Sequence, residues 1–289
     1  MGIGPDFMVV GGQRSGTTWL HHVLRQHPGV YSQPIKEIHY WDSIDPTHYS
    51  SENRRYKRLP GAFRSIASGK GWKDILWYSK YFLRKMDDGW YDSLFEKHRH
   101  RGLLCGDITP GYALLSGPLV SHISEVCADL KVVYIARDPV MRSWSHLTRL
   151  LARMRGISPT DVSVREYLEA IRNVPTIVEK SFHSTVVEKW EKAFGRDRFR
   201  VLWFDDLVSN PRSFIQEFLH FCNIPNHEFA LEGGTAINQS SRGFEIPQAV
   251  RAELYEVFQP DMARLSAMLT SDIPLGWDRA HRIELGISS

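Results

Sequence analysis

Gly11-Gly-Gln-Arg14-Ser15-Gly16-Thr17-Thr18 lies between a short apolar run, Phe7 to Val10, and a segment whose apolar residues recur at helical spacing. Those residues are Trp19, Leu20, Val23 and Leu24, and His27-Pro28-Gly29 stops them. Strand, glycine-rich turn and helix in that order form the setting in which backbone N–H groups and the positive end of a helix cradle a phosphate. The stretch nearly satisfies the pattern G-x-x-x-x-G-K-[ST], except that Thr17 stands at the lysine position. A loop handling ATP or GTP uses that lysine to bridge the β- and γ-phosphates. Here Arg14, three residues earlier, is the only cation in the loop. The strand-like run Val132 to Ala136 ends in Arg137, not in the acidic residue a magnesium site would want. The loop reads as a seat for a phosphate-bearing nucleotide handled without a metal.

The same alternation continues outward from this stretch. Leu103 to Cys105 reads as a second strand, Val132-Val-Tyr-Ile-Ala136 as a third and Phe199 to Phe204 as a fourth. After the third, Asp138 is a helix N-cap and Pro139 suits the first helical position, so a helix runs from Val140 to about Met154. Asn210-Pro211 repeats that start ahead of Phe214, Ile215, Phe218, Leu219 and Cys222 on one helical face. The expected fold class is therefore α/β: a P-loop-like central parallel sheet flanked by helices on both faces, with ligands at the carboxyl ends of the strands. The segment from about 47 to 100 breaks the alternation. It is rich in aromatic residues, has no clear strand and reads as a mostly helical insertion within one domain spanning 1–289.

Composition narrows the function classes. Thirty-six Lys and Arg against 33 Asp and Glu leave a net charge of +3, which argues against a general nucleic-acid binder. Cys105, Cys127 and Cys222 are an odd, widely spaced set, so the expectation is reduced thiols in a cytoplasmic protein. No apolar run approaches the roughly 18 residues of a membrane span, and the first residues carry no basic targeting region. The histidines form no metal-ligand pattern, so no metal is expected.

Several motifs in order resemble the sulfotransferases that use 3′-phosphoadenosine 5′-phosphosulfate. They are Arg14-Ser-Gly-Thr-Thr-Trp-Leu20, Lys36-Glu37-Ile-His39-Tyr-Trp41 and Val132-Val-Tyr-Ile-Ala-Arg137-Asp-Pro-Val-Met-Arg-Ser-Trp-Ser145. The second of these and Asp107-Ile-Thr-Pro-Gly-Tyr112 look most like the branch that contains the heparan sulfate sulfotransferases and many bacterial members. The likeness continues through Phe204-Asp-Asp-Leu207, Asn210-Pro211, Ser241-Arg242-Gly243-Phe244 and Gly276-Trp277-Asp278, and is weakest in the aromatic insertion.

The resemblance implies a role for each matching residue. Ser15, Gly16, Thr17 and Thr18 would hold the donor's 5′-phosphosulfate, with Arg14 where family members usually carry Lys. Either cation can neutralise charge on the departing bridging oxygen, although Arg cannot give up a proton at neutral pH. Arg137 and Ser145 match the site of the donor's 3′-phosphate, and Arg242 and Gly243 the loop that closes over it. Glu37 matches the base that takes the acceptor's proton, with His39 as rival base or supporting partner and Lys36 orienting either group or contacting sulfate. Arg137 has a structural alternative, an ion pair with Asp138 or another carboxylate; Glu37 has one, a pairing with Lys36 in an exposed loop; and Arg242 and Gly243 have one, a plain surface loop.

The acceptor is less legible. From Ser51 to Arg101 there are thirteen Lys and Arg against six Asp and Glu, an excess of seven in a near-neutral chain. This face, including Arg54, Arg55, Lys57 and Arg58, is expected to help recruit an acceptor that is anionic or carried on an acidic partner; a plain solvated helical face is the alternative. Two other readings stay open at this point: a small-molecule kinase on a degenerate P-loop, and a non-catalytic nucleotide-binding protein.

Overall fold

Phe7 to Gly11 forms a wholly buried strand, β1, whose alternate residues feed two different apolar clusters. Phe7 and Val9 point to one side and Met8 and Val10 to the other, the period of two that any strand imposes. The computed structural model describes residues 3–47, 55–69, 71–231 and 245–287. After β1 come α1 (Thr17–Leu24), β2 (Val30–Ser32) and α2 (Trp41–Ile44), then α3 (Leu59–Ala67), α4 (Ile75–Leu83), α5 (Asp88–Ser93) and α6 (Glu96–Arg99). Next are β3 (Leu104–Ile108), α7 (Gly117–Val126), β4 (Lys131–Ala136), α8 (Pro139–Arg155), α9 (Val164–Asn173), α10 (Thr176–Glu179) and α11 (His183–Phe194). β5 (Phe199–Trp203), α12 (Phe204–Ser209), α13 (Pro211–Phe221), α14 (Gln248–Leu269) and α15 (Ile273–Leu285) complete the order.

The five strands form one parallel sheet in the order β2-β3-β1-β4-β5. Helices cover both faces, as an all-parallel sheet requires. α1, α12 and α13 bury Leu20, Val23, Leu207, Phe214 and Phe218 against Phe7, Val9, Val133 and Ile135. On the other face α8, α11 and α14 bury Trp144, Trp190 and Phe258 with Val132 and Tyr134. Trp77, Tyr81, Trp90, Tyr91 and Phe95 of the aromatic segment belong to this second cluster, so the insertion is part of the main core. Each fully buried aromatic or leucine contributes about 1.5–3 kcal/mol of transfer free energy.

Predicted starts and stops recur with small shifts. Asp138 caps α8 by accepting from Val140 N–H at 2.9 Å and Met141 N–H at 3.1 Å. Asn210 does the same for α13 through Ser213 N–H at 3.1 Å. The second predicted strand is longer than Leu103 to Cys105 and ends at Ile108. β2 was not legible, because three residues are too few for alternation to show.

Candidate active site

β1, α1 and β4 meet where the glycine-rich turn crosses the top of the sheet. Gly12 N–H donates to Ile135 O at 2.8 Å, which ties the turn to the neighbouring strand. Gly16 opens α1 with φ 79°, and a Cβ there would lie 2.3 Å from Leu207 Cδ2, so only glycine fits. Ser15 is fully buried, and its Oγ has no hydrogen-bond partner among the described residues. Arg14 Nη2 is likewise buried with no partner among the described residues. A buried donor left unsatisfied costs about 1–3 kcal/mol. Two of them in one loop fit an anion, as a nucleotide phosphate or phosphosulfate would supply.

Arginines surround that position. Arg14 Nε donates to Ser145 Oγ at 3.1 Å, and Arg137 Nη1 donates to Arg14 O at 2.7 Å. The Arg137 guanidinium also lies 4.6 Å above the Phe204 ring. Burial, with Arg14 adding repulsion and Asp138 opposing it, brings Arg137 down to about 10. Buried Arg142 is likewise lowered to about 10, by burial first and then by Arg137 and Arg14. Arg137 makes no ion pair with Asp138, which holds the α8 cap and meets His281 Nε2 at 2.8 Å. Cations that repel one another in a low-dielectric site sustain a positive potential that favours an anion.

His183 supports this cluster from below. Its Nε2 lies 2.6 Å from Arg137 O and its Nδ1 lies 2.6 Å from Tyr134 Oη. A carbonyl can only accept, so Nε2 carries the proton and Nδ1 accepts from the tyrosine. Burial lowers the His183 pKa to about 4, which keeps the ring neutral in that tautomer.

Lys36 to Asp42 forms the facing wall. Lys36 Nζ reaches Thr17 Oγ1 at 3.3 Å, Thr18 Oγ1 at 3.4 Å and Glu37 Oε1 at 2.9 Å. A lysine from another loop thus occupies the neighbourhood that a lysine at position 17 would have served. His39 Nδ1 lies 2.7 Å from Asp42 Oδ2, and its Nε2 lies 3.4 Å from Glu37 Oε2. Burial pushes the Glu37 carboxyl up, but the His39 hydrogen bond and the Lys36 charge outweigh it and leave the pKa at about 2. The hydrogen bond from His39 and the adjacent Lys36 ammonium together set the direction against burial.

Backbone strain concentrates here. Arg14, Glu37 and His39 have φ of 69°, 65° and 58°, three of the five non-glycine residues with positive φ among those described. Such conformations persist where surrounding structure enforces them, and they cluster at functional sites. The enforcement is visible. Tyr112 Oη accepts from Tyr40 N–H at 3.0 Å and donates to Asp107 Oδ2 at 3.1 Å. Tyr91 Oη and Thr109 Oγ1 donate to the same carboxylate at 2.9 and 2.7 Å. Gly111 lets the turn Pro110–Leu114 approach the His39–Asp42 pair, since a Cβ there would lie 3.2 Å from Asp42 Oδ2.

A cleft of about 620 Å³ opens beside these groups. Gly12 and Gln13 of the glycine-rich turn, Asp42, Gly111, Lys180 and Lys189 are among the residues that line it. Lys180 Nζ donates to Gln13 Oε1 at 3.0 Å. Burial lowers Lys189 to about 8, with Asp45 opposing.

Residues 5–228 match the family model described as Sulfotransferase family. The chain belongs to this family. It is 24% identical over 234 residues to heparan sulfate glucosamine 3-O-sulfotransferase 5 of Homo sapiens, covering 76% of this chain and 54% of that protein. It is 29% identical over 142 residues to membrane-associated sulfotransferase kil1 of Dictyostelium discoideum, covering 49% of this chain and 22% of that protein. The chain thus spans about half the length, or less, of these curated relatives. The crystal structure of a sulfotransferase from Alicyclobacillus acidocaldarius shares the fold, with TM-score 0.67 and 20% identity over 94% of this chain and 98% of that one.

Within this sulfotransferase-family fold, Arg14, Ser15, Gly16, Thr17, Thr18, Glu37, His39, Arg137 and Ser145 gather at one end of the sheet. Arg242 and Gly243 lie outside the described residues. Ser145 is 1% exposed and serves Arg14 directly. Arg55 and Arg58, read from sequence as acceptor contacts, commit their guanidinium groups to carbonyls: Arg55 Nη1 to Arg84 O at 2.8 Å, and Arg58 to Lys36 O. Arg54 lies outside the described residues. Sequence reasoning missed Asp42, the contacts of Lys36 with Thr17 and Thr18, the bracing of Arg137 by His183 and the lysine pair of the cleft. Asp42 lies three residues past His39 in a motif already singled out, which was a usable signal; the others had none. Among the described residues no group of three or more His, Cys, Asp or Glu could hold a metal ion, and Cys105, Cys127 and Cys222 are buried free thiols.

Proposed function

We propose that this chain moves a sulfuryl group from 3′-phosphoadenosine 5′-phosphosulfate to a hydroxyl or amine of an acceptor, with Glu37 as the base. The donor, when bound, supplies an activated sulfuryl group on a phosphate leaving group. The observation that carries the reading is Lys36. One ammonium touches both the hydroxyls of the anion-seating loop and the candidate base, so the two halves of a displacement lie within one side chain's reach.

Ser15, Gly16, Thr17 and Thr18 bind the 5′ end of the donor through backbone N–H groups and hydroxyls. Arg137 and Arg14, with Ser145 holding Arg14 in place, receive its 3′-phosphate and the charge that grows on the departing oxygen. Arg242 and Gly243 complete the nucleotide contacts, as the resemblance implies. Glu37 accepts the acceptor's proton as the new bond to sulfur forms. His39, held by Asp42, donates to the Glu37 carboxylate and orients it. As Lys36 turns toward incoming negative charge it releases Glu37, whose basicity then rises from its resting value.

For the acceptor we favour a carbohydrate, lipid or carrier-bound molecule with an anionic group. Lys180 and Lys189 support this, because they face the cleft beside Asp42 where that group would pair. Thermal shift separates this reading from nucleoside-triphosphate chemistry. Stabilisation by 3′-phosphoadenosine 5′-phosphate without magnesium is expected; stabilisation only by ATP with magnesium would sink the proposal.

A further inference from the structure

α4 is apolar on both sides. Trp77, Tyr78, Tyr81 and Phe82 are buried, and Tyr81 Oη donates to Ile38 O at 3.5 Å, so the inner face packs behind the Lys36–Asp42 loop. The outer face carries Ile75, Leu76 and Leu83, which are 41%, 63% and 83% exposed, with the exposed Ser79 between them, and Trp72 just before the helix is 63% exposed. Phe63 of the preceding helix is 65% exposed, and Gly71 N–H holds that helix beside Trp72 through Ser65 O at 2.9 Å. Single exposed leucines are ordinary, but large apolar side chains grouped on the outside of one helix and its approach mark a surface that something covers.

Charge decides what covers it. In the same stretch Lys57, Arg64, Arg84 and Lys85 are exposed cations, and between Arg55 and Lys85 the sequence holds a single acidic residue, Asp74. A second copy of the same face would bring like charges together, which opposes self-association. An anionic bilayer satisfies both features: apolar and aromatic side chains enter the headgroup boundary while flanking cations meet lipid phosphates.

We propose that the outer face of α4, with Phe63 and the basic residues around it, docks on the surface of an anionic membrane. No helix among the described residues is long and apolar enough to cross a membrane; the docking proposed is at the membrane surface. It places the Lys36–Asp42 loop one helix thickness from the lipid surface, within reach of an acceptor presented there. The docking itself stands on exposure and charge alone, independent of the reaction assigned to the site.

The test is co-sedimentation of the full chain with vesicles of phosphatidylcholine containing about one-third phosphatidylglycerol, and with phosphatidylcholine alone. Binding to the anionic vesicles only is expected, weakened by salt as screening requires. Leu76→Ser with Leu83→Ser should weaken it by about tenfold or more, and Arg84→Gln with Lys85→Gln by about tenfold. All four side chains are solvent-exposed, so melting temperatures should stay at the wild-type value, and the charge pair remains a valid test if the leucine pair unfolds. Absence of sedimentation, equal sedimentation with uncharged vesicles, or undiminished binding by both double variants would overturn the proposal. So would light scattering that shows a dimer broken by the same leucine substitutions, which would assign the face to a second copy.

Discussion

The glycine-rich turn and the Lys36–Asp42 loop face each other across a few ångströms and are built on opposite plans. The turn is short-range architecture: a strand ends, a glycine with positive φ lets the chain reverse, and a helix begins with its N–H groups pointing at one spot. Its charge is positive, gathered from Arg14 and Arg137. The facing loop has almost no regular structure of its own. Two of its residues are held at positive φ by distant partners, including Tyr112 on Tyr40, Tyr81 on Ile38 and Arg58 on Lys36, and it carries the carboxylates. A site for an anion can be made from backbone alone, whereas a base needs a particular carboxylate in a particular electrostatic setting. That is why the second loop recruits the insertion and the turn after β3.

The largest effect should come from separating the two. Glu37→Gln is expected to lower turnover by about 10²- to 10⁴-fold while leaving the thermal shift with 3′-phosphoadenosine 5′-phosphate intact. Retained turnover would move the base to His39, and a lost shift would mean that the loops are not independent. Next, His183→Leu should remove about 2–4 kcal/mol of stability, since Tyr134 Oη and Arg137 O would both lose a buried partner. It should also weaken nucleotide binding, because Arg137 loses its strut; urea unfolding and a binding isotherm measure the two separately.

Arg14→Ala should raise the dissociation constant of the bisphosphate nucleotide by about tenfold to a hundredfold, the scale of a charge-assisted contact. An unchanged constant would remove the anion-seat assignment of the turn. The smallest effect concerns the support of the acceptor side. Asp107 is raised from 3.8 to about 6 by burial, partly offset by the hydrogen bonds of Thr109, Tyr91 and Tyr112. The folded state therefore holds its proton more tightly than the unfolded chain does. The associated stabilisation is fully present below about pH 4 and is lost as pH rises through about 6. Asp107→Asn should flatten that part of the stability profile; a wild-type slope would place the titration elsewhere.

Legibility followed the range of the interactions. Asp138 and Asn210 as caps, Phe7 to Val10 as a buried strand and Gly16 at the turn all depend on neighbours within a few residues, so pattern and spacing expose them. The insertion was recognisable only by its lack of pattern, and its aromatics proved to share a core with Met8 and Val10. Arg55 and Arg58 looked like free cations because sequence shows charge without showing which carbonyl stands opposite. Glu37 was found, but its low pKa rests on two hydrogen-bond partners whose reach toward it only the folded chain shows.

Sequence alone thus determined the alternating strand and helix order, the anion-seating turn, the absence of a lysine at Thr17 and the family's motifs in register. These are set by covalent spacing and by hydrogen bonds that close within a turn or two. Tertiary structure decided that Lys36 fills the space Thr17 leaves, that His183 braces Arg137, that Lys180 and Lys189 share a cleft with Asp42, and that one apolar face of α4 stays uncovered. Each joins residues far apart in the chain, and only packing of the folded chain establishes which of them meet.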